Sequence, residues 1–185
     1  MAATPSQMLS LNSDYHPFTL PNATHAGDYT LSSADHPQGF VLVFICNHCP
    51  FVKHILDRMV ELAHAAMDRG LGFVAVSSND VVSFPEDSFG NMKKLAAEKN
   101  FRFPYLYDAS QEVAKAYDAA CTPDIYVFNG KGKLYYRGQF DETRPMQGEA
   151  TGDDLQNAIN SLLNDEEPPA NQIPSLGCGI KWIKE

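Results

Sequence analysis

Residues 40–53 read Phe-Val-Leu-Val-Phe-Ile-Cys-Asn-His-Cys-Pro-Phe-Val-Lys, and this stretch decides the fold. The apolar run that ends at Ile45 is typical of a strand covered on both faces. Pro50 suits the first turn of a helix, and apolar residues recur at helical spacing after it. Two thiols, Cys46 and Cys49, therefore lie between a buried strand and the start of a helix. This arrangement predicts dithiol–disulfide chemistry.

The position of each cysteine suggests its role. A strand that runs into a helix leaves unpaired N–H groups and the positive end of the helix dipole at the junction. Cys46 is expected there, where a thiolate is stabilised, so it is predicted to be the nucleophile. Cys49, one helical turn further on, is predicted to be the resolving thiol that closes the Cys46–Cys49 disulfide. His48, if protonated, would lower the pKa of Cys46; the alternative is a solvent-exposed residue at the helix start.

The composition is that of an ordinary soluble globular protein. With 185 residues a single domain is expected, and the apolar (44%) and charged (20%) fractions are usual. The net charge of −9 disfavours nucleic acid and anionic membranes as partners. No apolar run is long enough to span a bilayer and residues 1–7 show no signal-peptide pattern, which predicts a cytoplasmic protein. Four cysteines are too few for a disulfide scaffold and favour redox or metal chemistry.

The rest of the chain predicts an α/β fold with a mixed sheet. Further strands are expected at residues 18–20 and 29–31 (an N-terminal hairpin), 71–76, 105–107, and 124–128 with 133–137 (a second hairpin). Further helices are expected at residues 86–99, 111–117 and, after a capping box at Thr151–Asp154, up to residue 163. A crossover requires parallel pairing and a hairpin antiparallel pairing, so a mixed central sheet with helices on both faces is predicted. Residues 1–163 are expected to form the domain, and residues 164–185 a tail packed on it or extending from it.

The cysteine pair and this element order resemble the active site of the thioredoxin superfamily. In that fold a cis-proline at the start of a later strand lies against the dithiol, and Thr122-Pro123 fits that position. The resemblance implies that the Thr122 backbone pairs with an extended substrate peptide. It also implies a protein or small-molecule disulfide or thiol substrate and an external reductant, with no cofactor. No pair of histidines has the His-x-x-x-His spacing of a helical metal site, so no metal is predicted.

Within the superfamily the chain is most similar to the redoxin group, which holds the alkyl hydroperoxide reductase/thiol-specific antioxidant proteins. The similar features are Phe18-Thr-Leu20, the inserted helix at residues 86–99, Phe103-Pro-Tyr-Leu-Tyr-Asp108 and Val113-Ala-Lys-Ala-Tyr117. The resemblance covers residues 18–163, and the tail with Cys178 resembles bacterial redoxin-like proteins of unassigned substrate.

Three departures from the family patterns matter. Cys46 stands where peroxiredoxins carry a Thr, three residues before their peroxide-reacting Cys. Ile45 and Phe40 stand where thioredoxins have a Trp and a buried acid. The residues between the cysteines are Asn47-His48, and a His before the second Cys resembles strongly oxidising disulfide oxidases.

Two alternative functions remain open. One is a thiol peroxidase in which Cys49 is the residue that reacts with peroxide. The other is a non-catalytic zinc-binding or interaction module, which would need Cys121 and Cys178 to complete a four-thiolate site. Cys121 itself is interpreted either as a third redox thiol or as a buried core residue. Cys178 is interpreted either as a further resolving thiol or as a contact with a second subunit.

Overall fold

The structure, a computed structural model, describes residues 3–184. Its strands are, in chain order, β1 (Thr4–Pro5), β2 (Phe18–Pro21), β3 (Asp28–Leu31), β4 (Phe40–Phe44), β5 (Gly72–Ser77), β6 (Tyr105–Tyr107), β7 (Cys121–Thr122), β8 (Asp124–Phe128), β9 (Leu134–Arg137) and β10 (Leu176–Gly179). Its α-helices are α1 (Pro50–Asp68), α2 (Phe89–Glu98), α3 (Glu112–Ala116) and α4 (Asp153–Leu163). The outer ends of the predicted domain and tail, residues 1–2 and 185, lie outside the described range.

The central sheet has five strands in the order β6-β5-β4-β8-β9. Strands β4, β5 and β6 are parallel, whereas β8 pairs antiparallel with both β4 and β9. Every residue of β4 is buried, as expected for a strand in the middle of a sheet. The mixed sheet predicted from the sequence is therefore confirmed.

Successive residues of β4 face opposite sides of the sheet. Val41 and Val43 belong to the apolar cluster formed with α1, α2 and α4. Leu42 and Phe44 belong to a second cluster, formed with α3 and the hairpin of β2 and β3. Helices therefore cover both faces, and the N-terminal hairpin and the inserted helix are both present.

Two helix starts differ from the prediction. The helix expected from residue 86 begins at Phe89, because residues 85–87 form a separate 3-10 turn that buries Asp87. The capping box expected at Thr151 is wrong: Gly152, at φ 72°, is the N-cap of α4, and the Thr151 hydroxyl oxygen accepts the Asp153 N–H at 3.4 Å from outside the helix. The backbone N–H groups of Thr151 and Gly152 instead donate to the Asp141 carboxylate at 2.8 Å each.

The tail returns to the domain as a strand. β10 pairs antiparallel with β1 on one side and with β7 on the other. The division at residue 163 stays a prediction, although the strand ties the end of the chain to the domain. No helix between residues 3 and 184 has the length and apolar character that crossing a bilayer requires.

Candidate active site

The two thiols are placed by the end of β4 and the start of α1. Ile45 donates its backbone N–H to the Val76 carbonyl oxygen at 2.9 Å, which carries the pairing with β5 past the end of the strand. The helix begins at Pro50, with Cys49 as its N-cap residue. The expectation that Cys46 occupies the helix end is wrong, because Pro50 takes the first helical position and the cap falls on the residue before it. The helix dipole therefore acts mainly on Cys49.

The structure brings Cys46, Cys49 and Thr122 into contact. The two thiols are free and form no disulfide, and their exposed fractions are 1% and 0%. The Thr122 hydroxyl oxygen lies 3.4 Å from the Cys46 sulfur, and the Thr122 carbonyl oxygen accepts a hydrogen bond from the Cys49 thiol at 3.1 Å. The peptide bond between Thr122 and Pro123 is cis, in the form that the thioredoxin superfamily has at this position.

The two thiols differ in their affinity for a proton. The hydrogen bond with Cys49, burial and the nearby Asp87 carboxylate all raise the pKa of the Cys46 thiol. The pKa of Cys49 is lowered, and the largest cause is hydrogen bonding from Cys46. Burial acts to raise it, and hydrogen bonding from Cys178 acts to lower it further. The pair therefore carries its first negative charge on Cys49. The sequence predicted the opposite order.

His48 is held by Asp87, a buried acid that sequence reasoning missed. The Nδ1 atom of His48 lies 2.6 Å from an Asp87 carboxylate oxygen and 3.9 Å from the Cys46 sulfur. The ring stacks on Phe84 with centroids 5.3 Å apart, so His48 is partly buried and not a freely exposed residue. Because the same nitrogen faces both groups, His48 cannot bridge Cys46 and Asp87 through its two ring nitrogens. Nothing in the sequence distinguishes Asp87 from its exposed neighbour Glu86.

The same three side chains offer a possible set of metal ligands. One ligand atom each from Cys46, His48 and Asp87 lies within 4.8 Å of the others, and these donor types suit Zn²⁺. The short hydrogen bond between His48 and Asp87 would have to open to admit an ion. The four-cysteine site considered from the sequence would also need Cys178, which lies opposite Thr122 in the strand pairing, and Cys121, whose sulfur lies 3.5 Å from the Pro123 carbonyl oxygen.

Cys121 and Asp124 flank the cis-proline segment. Cys121 is fully buried, and burial raises the pKa of its thiol, which agrees with the interpretation as a core residue. Asp124, which the sequence did not single out, is 1% exposed and accepts a hydrogen bond from the Ala120 N–H at 3.0 Å. Burial raises the pKa of Asp124 to about 7. It lies opposite Phe44 in the sheet, so a buried acid is present near the site although residue 40 is apolar.

The fold and the paired thiols define a class of thioredoxin-like redox protein. The chain is 18% identical to the thioredoxin domain of a thiol-disulfide oxidoreductase from Bacteroides vulgatus, with a TM-score of 0.65 over 85% of this chain and 100% of that chain. At this identity the similarity shows the fold alone, and that fold confirms the thioredoxin-like architecture. The sequence model of the AhpC/TSA family matches residues 12–137. The chain therefore belongs to the AhpC/TSA family, and its membership supports thiol-based redox activity.

Two other solved structures resemble the chain over nearly its whole length. An uncharacterized conserved protein from Geobacillus kaustophilus is 47% identical, with a TM-score of 0.96 over 100% of this chain and 98% of that chain. A hypothetical protein from Sinorhizobium meliloti 1021 is 38% identical, with a TM-score of 0.94 over 98% of this chain and 100% of that chain. No curated protein matches the chain. Both similarities extend through the tail, so the strand β10 lies within the matched region.

Proposed function

We propose that the protein is a thiol–disulfide oxidoreductase that cycles between a dithiol and a disulfide at Cys46 and Cys49. The observation that carries this proposal is that Thr122 contacts both sulfurs at the start of α1: its hydroxyl oxygen lies 3.4 Å from Cys46, and its carbonyl oxygen accepts from Cys49 at 3.1 Å. Two thiols held against the same residue can close a disulfide with little movement of the backbone. Family membership supports the same general chemistry.

In the reductive direction, Cys46 attacks one sulfur of a substrate disulfide. Its proton passes along the hydrogen bond to Cys49, a new S–S bond forms at Cys46, and the other substrate sulfur leaves as a thiolate. Cys49 then attacks the Cys46 sulfur, and its proton goes to the second substrate sulfur as that group leaves. The substrate gains two electrons, and the enzyme is left with the Cys46–Cys49 disulfide, which an external reductant reopens.

Cys46 is assigned the first attack because the Cys49 thiol is engaged by the Thr122 carbonyl oxygen, whereas Cys46 faces the Thr122 hydroxyl group and the His48 ring. It is followed by Asn47 and His48, which are partly exposed. Cys49 is enclosed by the Thr122 carbonyl group and by Cys178. The lower pKa of Cys49 is compatible with this order, because the hydrogen-bonded pair shares one proton that Cys49 accepts when Cys46 reacts. His48 remains a proposed tuning residue whose contribution is set by its bond to Asp87.

The substrate is proposed to be a protein or small-molecule disulfide or thiol. The Thr122 backbone, expected to pair with a substrate peptide next to Pro123, is paired with Cys178 of β10 in this structure. A peptide could use this edge only by displacing β10, whereas a small disulfide needs only to reach Cys46. Small disulfides are therefore the substrates that the site accepts with the least rearrangement. A cytoplasmic location stays a prediction.

A thiol peroxidase is the second candidate, and the lowered pKa of Cys49 favours it. A Cys49 thiolate would attack one peroxide oxygen, the O–O bond would break, and water and a sulfenic acid would form. The Cys46 thiol would then attack the sulfenic sulfur, release a second water and leave the same disulfide. Peroxide consumption that survives in Cys46→Ser as a single turnover and vanishes in Cys49→Ser would support this reaction.

A redox titration tests the leading proposal. The protein is equilibrated in glutathione buffers of graded potential, its free thiols are trapped with an alkylating mass tag, and the tags are assigned by peptide mass. We expect Cys46 and Cys49 to form a disulfide with each other, reversibly, in one two-electron transition. Cys121→Ser is the matched control and should leave that transition unchanged. A protein in which Cys46 and Cys49 never pair with each other contradicts the proposal, and stoichiometric zinc in the reduced protein would favour the metal-binding alternative.

A further inference from the structure

The tail strand brings a third thiol to the active site. In the antiparallel pairing of β10 with β7, Cys178 lies opposite Thr122 and Gly179 lies opposite Cys121. The Ile180 N–H continues this pairing with a hydrogen bond to the Ala120 carbonyl oxygen at 3.1 Å. The pairing of β10 with β7 therefore begins at Cys178 and continues to Ile180.

The close approach of the two strands depends on a glycine. A Cβ atom added to Gly177 would lie 2.1 Å from the Thr122 carbonyl oxygen, which no side chain tolerates. Glycine at this position lets β10 lie directly against the segment that precedes the cis-proline. The thiol of the following residue, Cys178, is only 5% exposed as a result.

Three thiols gather around Thr122. The Thr122 hydroxyl oxygen lies 3.4 Å from the Cys46 sulfur, and the Thr122 carbonyl oxygen accepts a hydrogen bond from the Cys49 thiol at 3.1 Å. The Thr122 backbone lies opposite Cys178 in the pairing of β7 with β10, and Cys46, Cys49 and Cys178 belong to the same buried cluster. Cys178 is therefore not an isolated cysteine in the tail, since it is paired with the residue that contacts both thiols of the proposed reaction. Cys121 differs from it, because its sulfur is directed to the carbonyl oxygen of Pro123 at 3.5 Å.

We propose that Cys178 is a third catalytic thiol, which exchanges with the Cys46–Cys49 disulfide to form a Cys49–Cys178 disulfide. This inference rests on the proposed oxidoreductase function. Cys178 attacks the Cys49 sulfur, the Cys49–Cys178 bond forms, the Cys46–Cys49 bond breaks, and Cys46 leaves with the electron pair. The net proton transfer is from Cys178 to Cys46, so the step needs no oxidant or reductant.

The exchange has two consequences for the site. Cys46 becomes a free thiol in an oxidised protein, so it can take part in a second exchange with a substrate. The tail strand becomes covalently attached to the start of α1, which keeps β10 on β7 and closes the Thr122 edge to peptides. Reduction of the Cys49–Cys178 disulfide leaves the strand held by its hydrogen bonds alone.

The test uses the full chain with Cys46 replaced by Ser, which keeps the tail and its pairing. The reduced variant is treated with diamide, which takes two electrons and two protons from a pair of thiols, and the product is digested without reduction and mapped by mass. We expect a Cys49–Cys178 disulfide in most molecules. Cys46→Ser/Cys121→Ser should form the same disulfide, and Cys46→Ser/Cys178→Ser should keep Cys49 free. Free Cys49 and Cys178 after diamide treatment of Cys46→Ser, or a Cys49–Cys121 disulfide in their place, would overturn the inference.

A second variant separates this inference from the function on which it rests. Cys178→Ser should still form the Cys46–Cys49 disulfide in the glutathione titration. If it does, and Cys46→Ser forms no Cys49–Cys178 disulfide, the third thiol is refuted and the dithiol enzyme stands. If Cys46 and Cys49 fail to pair in both the natural chain and Cys178→Ser, the proposed function falls and the exchange falls with it. Mapping of the oxidised natural chain gives an independent reading: we expect free Cys46 in part of the molecules, and free Cys178 in all of them contradicts the exchange.

Discussion

Replacement of Asp87 by Asn should lower the pKa of the Cys46 thiol. The Asp87 side chain is fully buried, and its nearer oxygen and the Cys46 sulfur lie within 4.8 Å of each other. A unit charge at such a separation contributes about 3 kcal/mol at an effective dielectric constant of about 20. Hydrogen bonds from Asn47, His48 and Asn79 disperse the charge of the carboxylate. We therefore expect a fall of about one to two pKa units.

The substitution should leave the fold intact at some cost in stability. The carbonyl oxygen of the new side-chain amide can still accept the backbone N–H groups of Asn47 and His48, which donate to Asp87 at 2.8 Å and 3.2 Å. The Asn79 side-chain amide, which donates to the other carboxylate oxygen at 2.8 Å, would then face an NH₂ group. A buried donor without an acceptor costs about 1–3 kcal/mol, so the midpoint of thermal unfolding should fall.

The assay follows alkylation of Cys46 by iodoacetamide as a function of pH, with each cysteine quantified by peptide mass. It is carried out in a Cys49→Ser background, so that the coupled titration of the thiol pair does not obscure the pKa of Cys46. Glu86→Gln is the matched control, because it removes one negative charge from the same 3-10 turn on an exposed side chain. An unchanged or raised Cys46 pKa in folded Asp87→Asn, or an equal fall in Glu86→Gln, would refute the electrostatic argument.

Three further changes have expected outcomes. Thr122→Val keeps a β-branched residue in the strand but removes a hydroxyl that lowers the pKa of Cys46, so the same alkylation assay should show a higher pKa. Gly177→Ala should displace β10 and lower the free energy of unfolding, measured with denaturant, by about 1–3 kcal/mol. Gly90→Ala is the control: a Cβ there meets open space, so the change should be neutral or stabilising. Equal effects of the two substitutions would contradict the close packing at Gly177. The pKa of Asp124 in the folded protein is raised to about 7, above its unfolded value, so folding stability should fall as pH rises from about 4 to about 7, on the order of 3 kcal/mol. Asp124→Asn should remove that slope, and identical slopes in the two proteins would show that another group is responsible.

Much of the fold followed from local patterns. The buried run before Cys46, the helical spacing after Pro50 and the Asn129–Gly130 turn each depend on residues close together in the chain. Such patterns identified the strands, the crossover and the hairpin, and hence a mixed sheet. The capping box of α4 was wrongly predicted. The Thr151 and Gly152 N–H groups that precede the helix donate to Asp141, which is ten or more residues away in the chain.

Only part of the chemistry of the dithiol could be predicted from the sequence. The sequence by itself determined that two thiols stand between a buried strand and a helix and that a proline follows Thr122. Which thiol caps the helix was decided by where the first turn closes, and the Cys46 pKa depends on Asp87, from a turn that no pattern assigns to the site.

The tail shows what only tertiary structure can decide. Its apolar residues Leu176, Cys178 and Ile180 alternate with glycines, which are depleted in strands, and no strand was predicted there. β10 forms because β1 and β7 present unpaired backbone groups on either side of it, and because Gly177 fits against the Thr122 carbonyl group. Hydrogen bonding between strands distant in sequence, not local propensity, therefore brings the third thiol to Cys49.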